Sequence, residues 1–243
     1  MKKFKGILSG LIIFSLLFTT ACTSDFDEIN TNPDTTTEAS ASLLSTQVIL
    51  SMTEFGGDAK AFISNSALPK YVGYANEGQM GAQYNSIGSS SFGGMTVLPD
   101  LEKMIEYAEG GQAENSYKGL AKFARAHLFY NLTMQMGDVP YSETGLGATG
   151  EYKPAYDTQK EIFIGILQEL KEADQFFAEG ENFTGDPTPF NGNADLWRRA
   201  TNAFRVKVLM SLSPKADELN VPAQFQEIVS QGNLFQNRGD YWG

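Results

Sequence analysis

Residues 117–141 read YKGLAKFARAHLFYNLTMQMGDVPY, and this stretch indicates the fold more clearly than any other part of the chain. Apolar residues recur in it at the three- and four-residue spacing of an α-helix, up to a glycine at position 137. The stripe comprises Leu120, Phe123, Ala124, Leu128, Phe129, Tyr130, Leu132, Met134 and Met136. Because so wide a stripe has apolar residues on more than one side, it predicts a long helix packed between other elements.

The end of this stretch predicts a tight structural turn. Gly137 is expected to end the helix in the left-handed conformation, and Asp138 to accept hydrogen bonds from backbone N–H groups. Pro140 restricts the direction in which the chain leaves the helix, and Tyr141 is expected to pack. A structural role in the turn therefore accounts for Asp138 better than a catalytic one.

Helical periodicity recurs on both sides of this stretch. Further helices are predicted over 37–55, 98–108, 158–179, 196–212 and from Pro222 to before Gly232, with a piece over 58–74 that Pro69 interrupts. Gly-containing loops separate them at 76–96, 137–155 and 181–192, and the last two also contain proline. No convincing alternation of a β-strand appears. The pattern predicts a mainly α fold of paired helices, a tetratricopeptide-like helical repeat with long irregular loops.

Residue types suited to catalysis or metal binding are scarce. His127 is the only histidine and is expected to be packed within the central helix. The acidic residues of the next helix are expected on its solvated face; they are Glu161, Glu169, Glu172 and Asp174. Four residues with side-chain oxygens of the kind that bind Ca²⁺ lie close together in the sequence, but they match no calcium-loop motif. They are Asp186, Asn191, Asn193 and Asp195. No catalytic residue, metal site or cofactor is predicted.

The N-terminus has the pattern of a lipoprotein export signal. Lysines at positions 2, 3 and 5 precede an apolar run over 7–18, which is too short to span a bilayer as a helix. Cys22, the only cysteine, follows small residues and is the expected lipid-attachment site. The predicted organisation is a signal peptide over 1–21, a lipidated tether over 22–36 and a helical domain over 37–243.

The charge of the chain excludes one class of partner. The formal net charge is −11, and the predicted signal peptide carries lysines but no acid, so the rest is more acidic still. Binding to nucleic acid depends on Lys and Arg to neutralise phosphates, so no nucleic-acid partner is expected. Attachment to a membrane is expected through the lipid on Cys22 rather than through a basic surface.

The segment 71–96 has the composition of a sugar-binding loop. It is rich in Gly, Ser, Asn and Gln, has scattered aromatic residues, and is longer than most loops without a function. Aromatic faces can stack on the C–H faces of a pyranose while amides bond to its hydroxyl groups. The candidate ligand-binding residues are Tyr74, Tyr84, Asn85 and Phe92. The alternative is that these aromatic side chains cover the helical core.

Three motifs, in the same order along the chain, resemble the SusD/RagB family of Bacteroidetes surface lipoproteins. Phe26–Pro33 is similar to the family's N-terminus, and Arg125-Ala126 followed by Gly137–Tyr141 is similar to its helix and turn. The helix that begins near Trp197 and continues through Asn202–Arg205 resembles the family's Trp-led helix. Members are usually longer, so the chain is expected to correspond to the N-terminal half, with part of the ligand-binding face in later segments.

This resemblance implies a nutrient-binding protein rather than an enzyme. It implies an outer-membrane, cell-surface lipoprotein that captures oligosaccharides for a SusC-type TonB-dependent transporter, with Asp25, Asp27 and Glu28 as the surface-export signal. Two alternatives stay open: a peptide-binding member of the same family, and a helical-repeat envelope scaffold that binds no nutrient.

Overall fold

The computed structural model describes residues 39–53, 90–145, 150 and 153–237. Six α-helices lie in these ranges: α1 (Ala41–Thr53), α2 (Leu98–Ala108), α3 (Glu114–Met136), α4 (Gln159–Glu179), α5 (Ala194–Ser211) and α6 (Val221–Gln231). Two 3-10 helices, Phe92–Val97 and Ser213–Lys215, lie beside them. Within the same ranges the only extended pairing is an isolated bridge between Val139 and Asp157, so the prediction of a mainly α fold is confirmed.

Helices α3 and α4 form a long antiparallel pair. The residue numbers of the contacting pairs increase along α3 while they decrease along α4, as expected for antiparallel helices. The pairs are Lys122 with Glu172, Arg125 with Glu169, Tyr130 with Phe163 and Thr133 with Gln159. Gly119 allows close packing here, because a Cβ at this position would lie 3.1 Å from the ring of Phe177. This pair forms the centre of the fold.

Helix α5 packs antiparallel to α4 and contributes the largest core side chain. Trp197 is fully buried beside Phe177, and Arg198 and Asn202 of α5 donate hydrogen bonds to Asp174 of α4. The Trp197 indole also contacts Phe123 of α3 and the loop residue Phe190. Because it contacts three elements at once, this residue ties α3, α4 and α5 into one core.

The loop between α4 and α5 is attached to α1. The side chains of Ser45 and Thr46 donate hydrogen bonds to the carbonyl of Gly185, with Thr46 at 2.7 Å. Gly185 has a φ of +86°, and a Cβ there would overlap the backbone of Ser42. These contacts fix α1 against the core, where Val48 and Ile49 are completely buried.

Most predicted helix limits agree with the structure. Helix α2 covers the predicted 98–108, and α4 begins with the predicted capping box: Glu161 N–H donates to Thr158 Oγ1, and Thr158 N–H donates to Glu161 Oε2. The predicted loop 76–96 is shorter than expected at its end, because residues 92–97 form a 3-10 helix without an apolar periodicity to reveal it. None of the described helices is both long and apolar enough to cross a bilayer.

Several predicted features lie outside the described residues. They are the signal peptide over 1–21, the tether over 22–36 with Cys22, the acidic residues Asp25, Asp27 and Glu28, the helical piece over 58–74, and the candidates Tyr74, Tyr84 and Asn85.

Candidate functional site

An exposed aromatic pair stands out on the surface of the helical unit. Phe92 and Tyr156 meet edge to face, with ring centroids 6.3 Å apart and ring planes at 85°. Their exposed fractions are 38% and 62%, although burial of large aromatic rings is normally favourable. Of the four ligand-binding candidates predicted from the sequence, Phe92 alone lies in the described residues, and no local pattern predicts that Tyr156 lies beside it.

Phe92 is held by a short, well-fixed element. Ser91 caps the 3-10 helix by accepting a hydrogen bond from Gly93 N–H, and Thr96 Oγ1 donates to the Gly93 carbonyl. Ser90 Oγ lies 2.5 Å from Gln135 Oε1 on α3, to which it donates. The ring is therefore presented from a backbone anchored to the central helix.

Tyr156 is held by the residue that follows it. Asp157 N–H donates to the Val139 carbonyl, and its carboxylate accepts hydrogen bonds from Tyr141 N–H, Ser142 N–H and Ser142 Oγ at 2.7–2.9 Å. Burial would raise the pKa of Asp157, but these hydrogen bonds outweigh it and lower the pKa. The carboxylate therefore stays ionised at neutral pH and holds the segment that carries Tyr156 against the backbone of Tyr141 and Ser142.

The turn after α3 supports this arrangement. Gly137 has a positive φ of 78°, but its ψ of −118° lies outside the expected left-handed helical region. The reason is local: the Gly137 carbonyl turns to accept from Thr133 Oγ1 at 2.7 Å, and the chain then extends to pair through Val139. Asp138 Oδ1 accepts from Gln159 N–H at the start of α4, while Pro140 is buried beside Val139.

Arg125 links this turn to the α3–α4 pair. Its guanidinium donates to Glu169, to the Tyr141 carbonyl and to Thr144 Oγ1. It also lies over the rings of Phe129 and Tyr141, 4.8 and 4.5 Å from their centroids. Both Arg125 and Glu169 line a cleft of about 320 Å³ between α2, α3 and α4. Because the Arg125 donors are engaged within the protein, its role there is structural.

Two acidic residues are not solvated, contrary to prediction. Glu169 and Asp174 are 8% and 7% exposed, because Arg125 pairs with the first and Arg198 and Asn202 with the second. Burial raises the pKa of Glu169, and Arg125 only partly opposes this. The sequence spacing could have indicated the burial of Glu169, because this residue follows Ile162 and Ile166 at helical intervals on the apolar stripe of α4.

The other candidate residues that lie in the described ranges serve packing or order a loop. The half-buried His127 ring packs against Phe123 and Phe204, and burial together with nearby Lys207 lowers its pKa to about 4. Asp186 accepts hydrogen bonds from Thr188 N–H, Gly192 N–H and Trp197 Nε1, so it orders its own loop. Within the ranges described, no group of acids, histidines or cysteines has the arrangement of a metal site.

Gly165→Ala is expected to lower the free energy of unfolding by about 1–3 kcal/mol. A Cβ at this position would overlap the Tyr141 ring, which is also in contact with the guanidinium of Arg125. Helix propensity alone would give the opposite sign. Urea unfolding of the variant, alone and combined with Tyr141→Leu, measures the effect. A penalty that is the same in both backgrounds would show that the tyrosine ring is not its cause.

The comparisons with known proteins agree with this architecture. A family profile, SusD-like, described as starch-binding and associating with the outer membrane, matches residues 33–241. A search of curated proteins finds no match. A SusD homologue from Bacteroides fragilis superposes with a TM-score of 0.74 at 36% identity, over 83% of this chain and 43% of the homologue.

Two further solved structures show the same relation. A second SusD homologue from Bacteroides fragilis gives a TM-score of 0.67 at 33% identity, over 84% of this chain and 43% of its own. A SusD/RagB family protein from Bacteroides thetaiotaomicron, 21% identical with a TM-score of 0.61, shares the fold. This chain thus spans less than half the length of each. It belongs to the SusD/RagB family.

Proposed function

We propose that this chain is the glycan-binding component of an outer-membrane nutrient uptake system and that the Phe92–Tyr156 pair is part of its ligand surface. The observation that carries the proposal is the exposed, well-anchored aromatic pair in a member of a starch-binding family. Stacking on a sugar needs a ring face or edge that is accessible without rearrangement, and the residues next to both rings, Ser91 and Asp157, are hydrogen-bonded.

The proposal extends to the partner and the location. The captured oligosaccharide would pass to a SusC-type TonB-dependent transporter, while lipid on Cys22 holds the protein at the outer membrane. No covalent step is required of the protein, because the half-buried His127 packs against Phe123 and Phe204, and Glu169 and Asp174 are held in ion pairs. Binding and release alone would then account for its action.

A panel of purified polysaccharides and peptides tests this function. We expect isothermal titration calorimetry to detect binding of at least one neutral oligosaccharide, and Phe92→Ala to weaken it about tenfold through loss of the stacking area. Thermal unfolding of the variant serves as the control for its fold. Binding of peptides alone would favour a peptide importer, and co-purification with a transporter but no ligand would favour a scaffold; either result would overturn the glycan proposal.

The acidic residues after the predicted lipid site provide a separate prediction about location. Replacing Asp25, Asp27 and Glu28 together with Ala is expected to leave lipidation intact but to remove the protein from the cell surface. Metabolic labelling with a palmitate analogue measures the first property, and protease accessibility on whole cells the second. Unchanged accessibility of the triple variant would rule out the export role of these acids.

A further inference from the structure

A second cleft lies between α4, α5 and α6 and shares no residue with the aromatic pair. Its volume is about 370 Å³, which is within the range of small-molecule sites. Its lining includes Leu167, Lys171, Arg205, Leu219, Gln224 and Glu227. The cleft therefore combines an apolar wall with two basic side chains and one carboxylate, in a protein that is strongly acidic overall.

Arg205 is the unusual member of this lining. Its exposed fraction is 3%, yet it makes one hydrogen bond, from Nη1 to Asn202 Oδ1 at 3.0 Å, and its buried Nε has no acceptor among the described residues. The carboxylates of Asp174 and Glu227 are near enough for their charges to act on Arg205, but Asp174 accepts its hydrogen bonds from Arg198 and Asn202, and neither carboxylate accepts from this Nε. Buried guanidinium groups are normally fully paired, so the Nε donor of Arg205 is left over at this cleft.

The rim of the cleft supplies a second cation. Lys171 Nζ lies 3.6 Å from Glu227 Oε1, and both side chains are more than two fifths exposed. Such a long, solvated ion pair contributes little to stability and can open at small cost. Lys171 is thus able to turn towards an anion that enters the cleft.

We propose that this cleft is a binding site for a carboxylate, carried either by a sugar acid or by an acidic peptide. The carboxylate would accept from Nε and an Nη of Arg205 in the two-pronged geometry that guanidinium groups favour. Leu167 and Leu219 would contact the apolar part of the ligand, and Lys171 would close over the charge. The site is distinct from the aromatic pair and does not depend on the function proposed for it.

Calorimetric titration of the full chain with digalacturonate, triglutamate and neutral galactobiose tests the site. We expect at least one of the two acidic probes to bind, with Arg205→Met weakening that binding about tenfold or more and Lys171→Met about threefold. Lys215→Met is the matched control, because Lys215 lies 3.6 Å from Glu218 yet does not line this cleft. Binding of the acidic sugar but not the peptide, or the reverse, identifies the source of the carboxylate.

The design separates a binding role from a folding role. Because Arg205→Met removes a buried and incompletely paired charge, we expect its Tm to stay at or above that of the parent. If it fails to fold, Lys171→Met on the rim provides the readout. The proposal is overturned if neither acidic probe binds, or if the folded Arg205 or Lys171 variant binds as tightly as Lys215→Met. Loss of galactobiose binding in these variants would likewise contradict a separate site.

Discussion

Arg125→Ala is expected to lower the free energy of unfolding by about 3–5 kcal/mol, the range found when one partner of a buried ion pair is removed. The variant leaves Glu169 buried without its partner and removes the hydrogen bonds to the Tyr141 carbonyl and Thr144. It also removes the packing of the guanidinium on Phe129 and Tyr141. Denaturant unfolding monitored by circular dichroism measures the change.

A neighbouring ion pair provides the control for Arg125. Lys122 and Glu172 also join α3 to α4, at 2.8 Å, but about a third of each side chain is exposed. Solvent screens such a pair, so Lys122→Ala should cost at most about 1 kcal/mol. Equal costs for the two variants would contradict a special role of Arg125 in joining the turn to the helices.

Trp197→Ala is expected to lower the free energy of unfolding by about 3–5 kcal/mol, because it empties the largest fully buried side-chain volume described. The cavity would border Phe123, Phe177, Phe183 and Phe190, and Asp186 would lose the indole N–H that donates to it at 2.8 Å. Thermal and urea unfolding give the measurement.

Two further substitutions on α5 test the reason for that loss. Trp197→Phe keeps much of the packing and loses the indole hydrogen bond, so a smaller cost of about 1–2 kcal/mol is expected. Met210→Ala removes a side chain that is 67% exposed on the same helix and should be nearly neutral. A Trp197→Ala cost as small as that of Met210→Ala would show that the core does not depend on this residue.

The helices could be predicted because their signals are local. The spacing of Leu101, Met104 and Ala108, and the capping pair Thr158 and Glu161, lie within a few residues of each other. The same local rule missed the 3-10 helix at 92–97, since FGGMTV has neither the length nor the periodicity of an α-helix.

The candidate site was less accessible to prediction because its pairs are distant in the sequence. Phe92 and Tyr156 come together through two segments, one anchored to α3 by Ser90 and the other to the turn after α3 by Asp157. Likewise, the burial of Glu169 depends on Arg125 of another helix, and no spacing on α4 reveals that partner. Such contacts follow from tertiary packing rather than from periodicity.

The role of the aromatic pair in glycan binding is tested most directly by two matched tyrosine variants. Tyr156 and Tyr107 are both largely exposed, at 62% and 48%, but Tyr107 lies on α2 and does not contact Phe92 in the described structure. We expect calorimetry with the best neutral oligosaccharide of the panel to show about tenfold weaker binding for Tyr156→Ala and unchanged binding for Tyr107→Ala. Equal affinities of the two variants, or no binding of any glycan by the parent chain, would contradict the account.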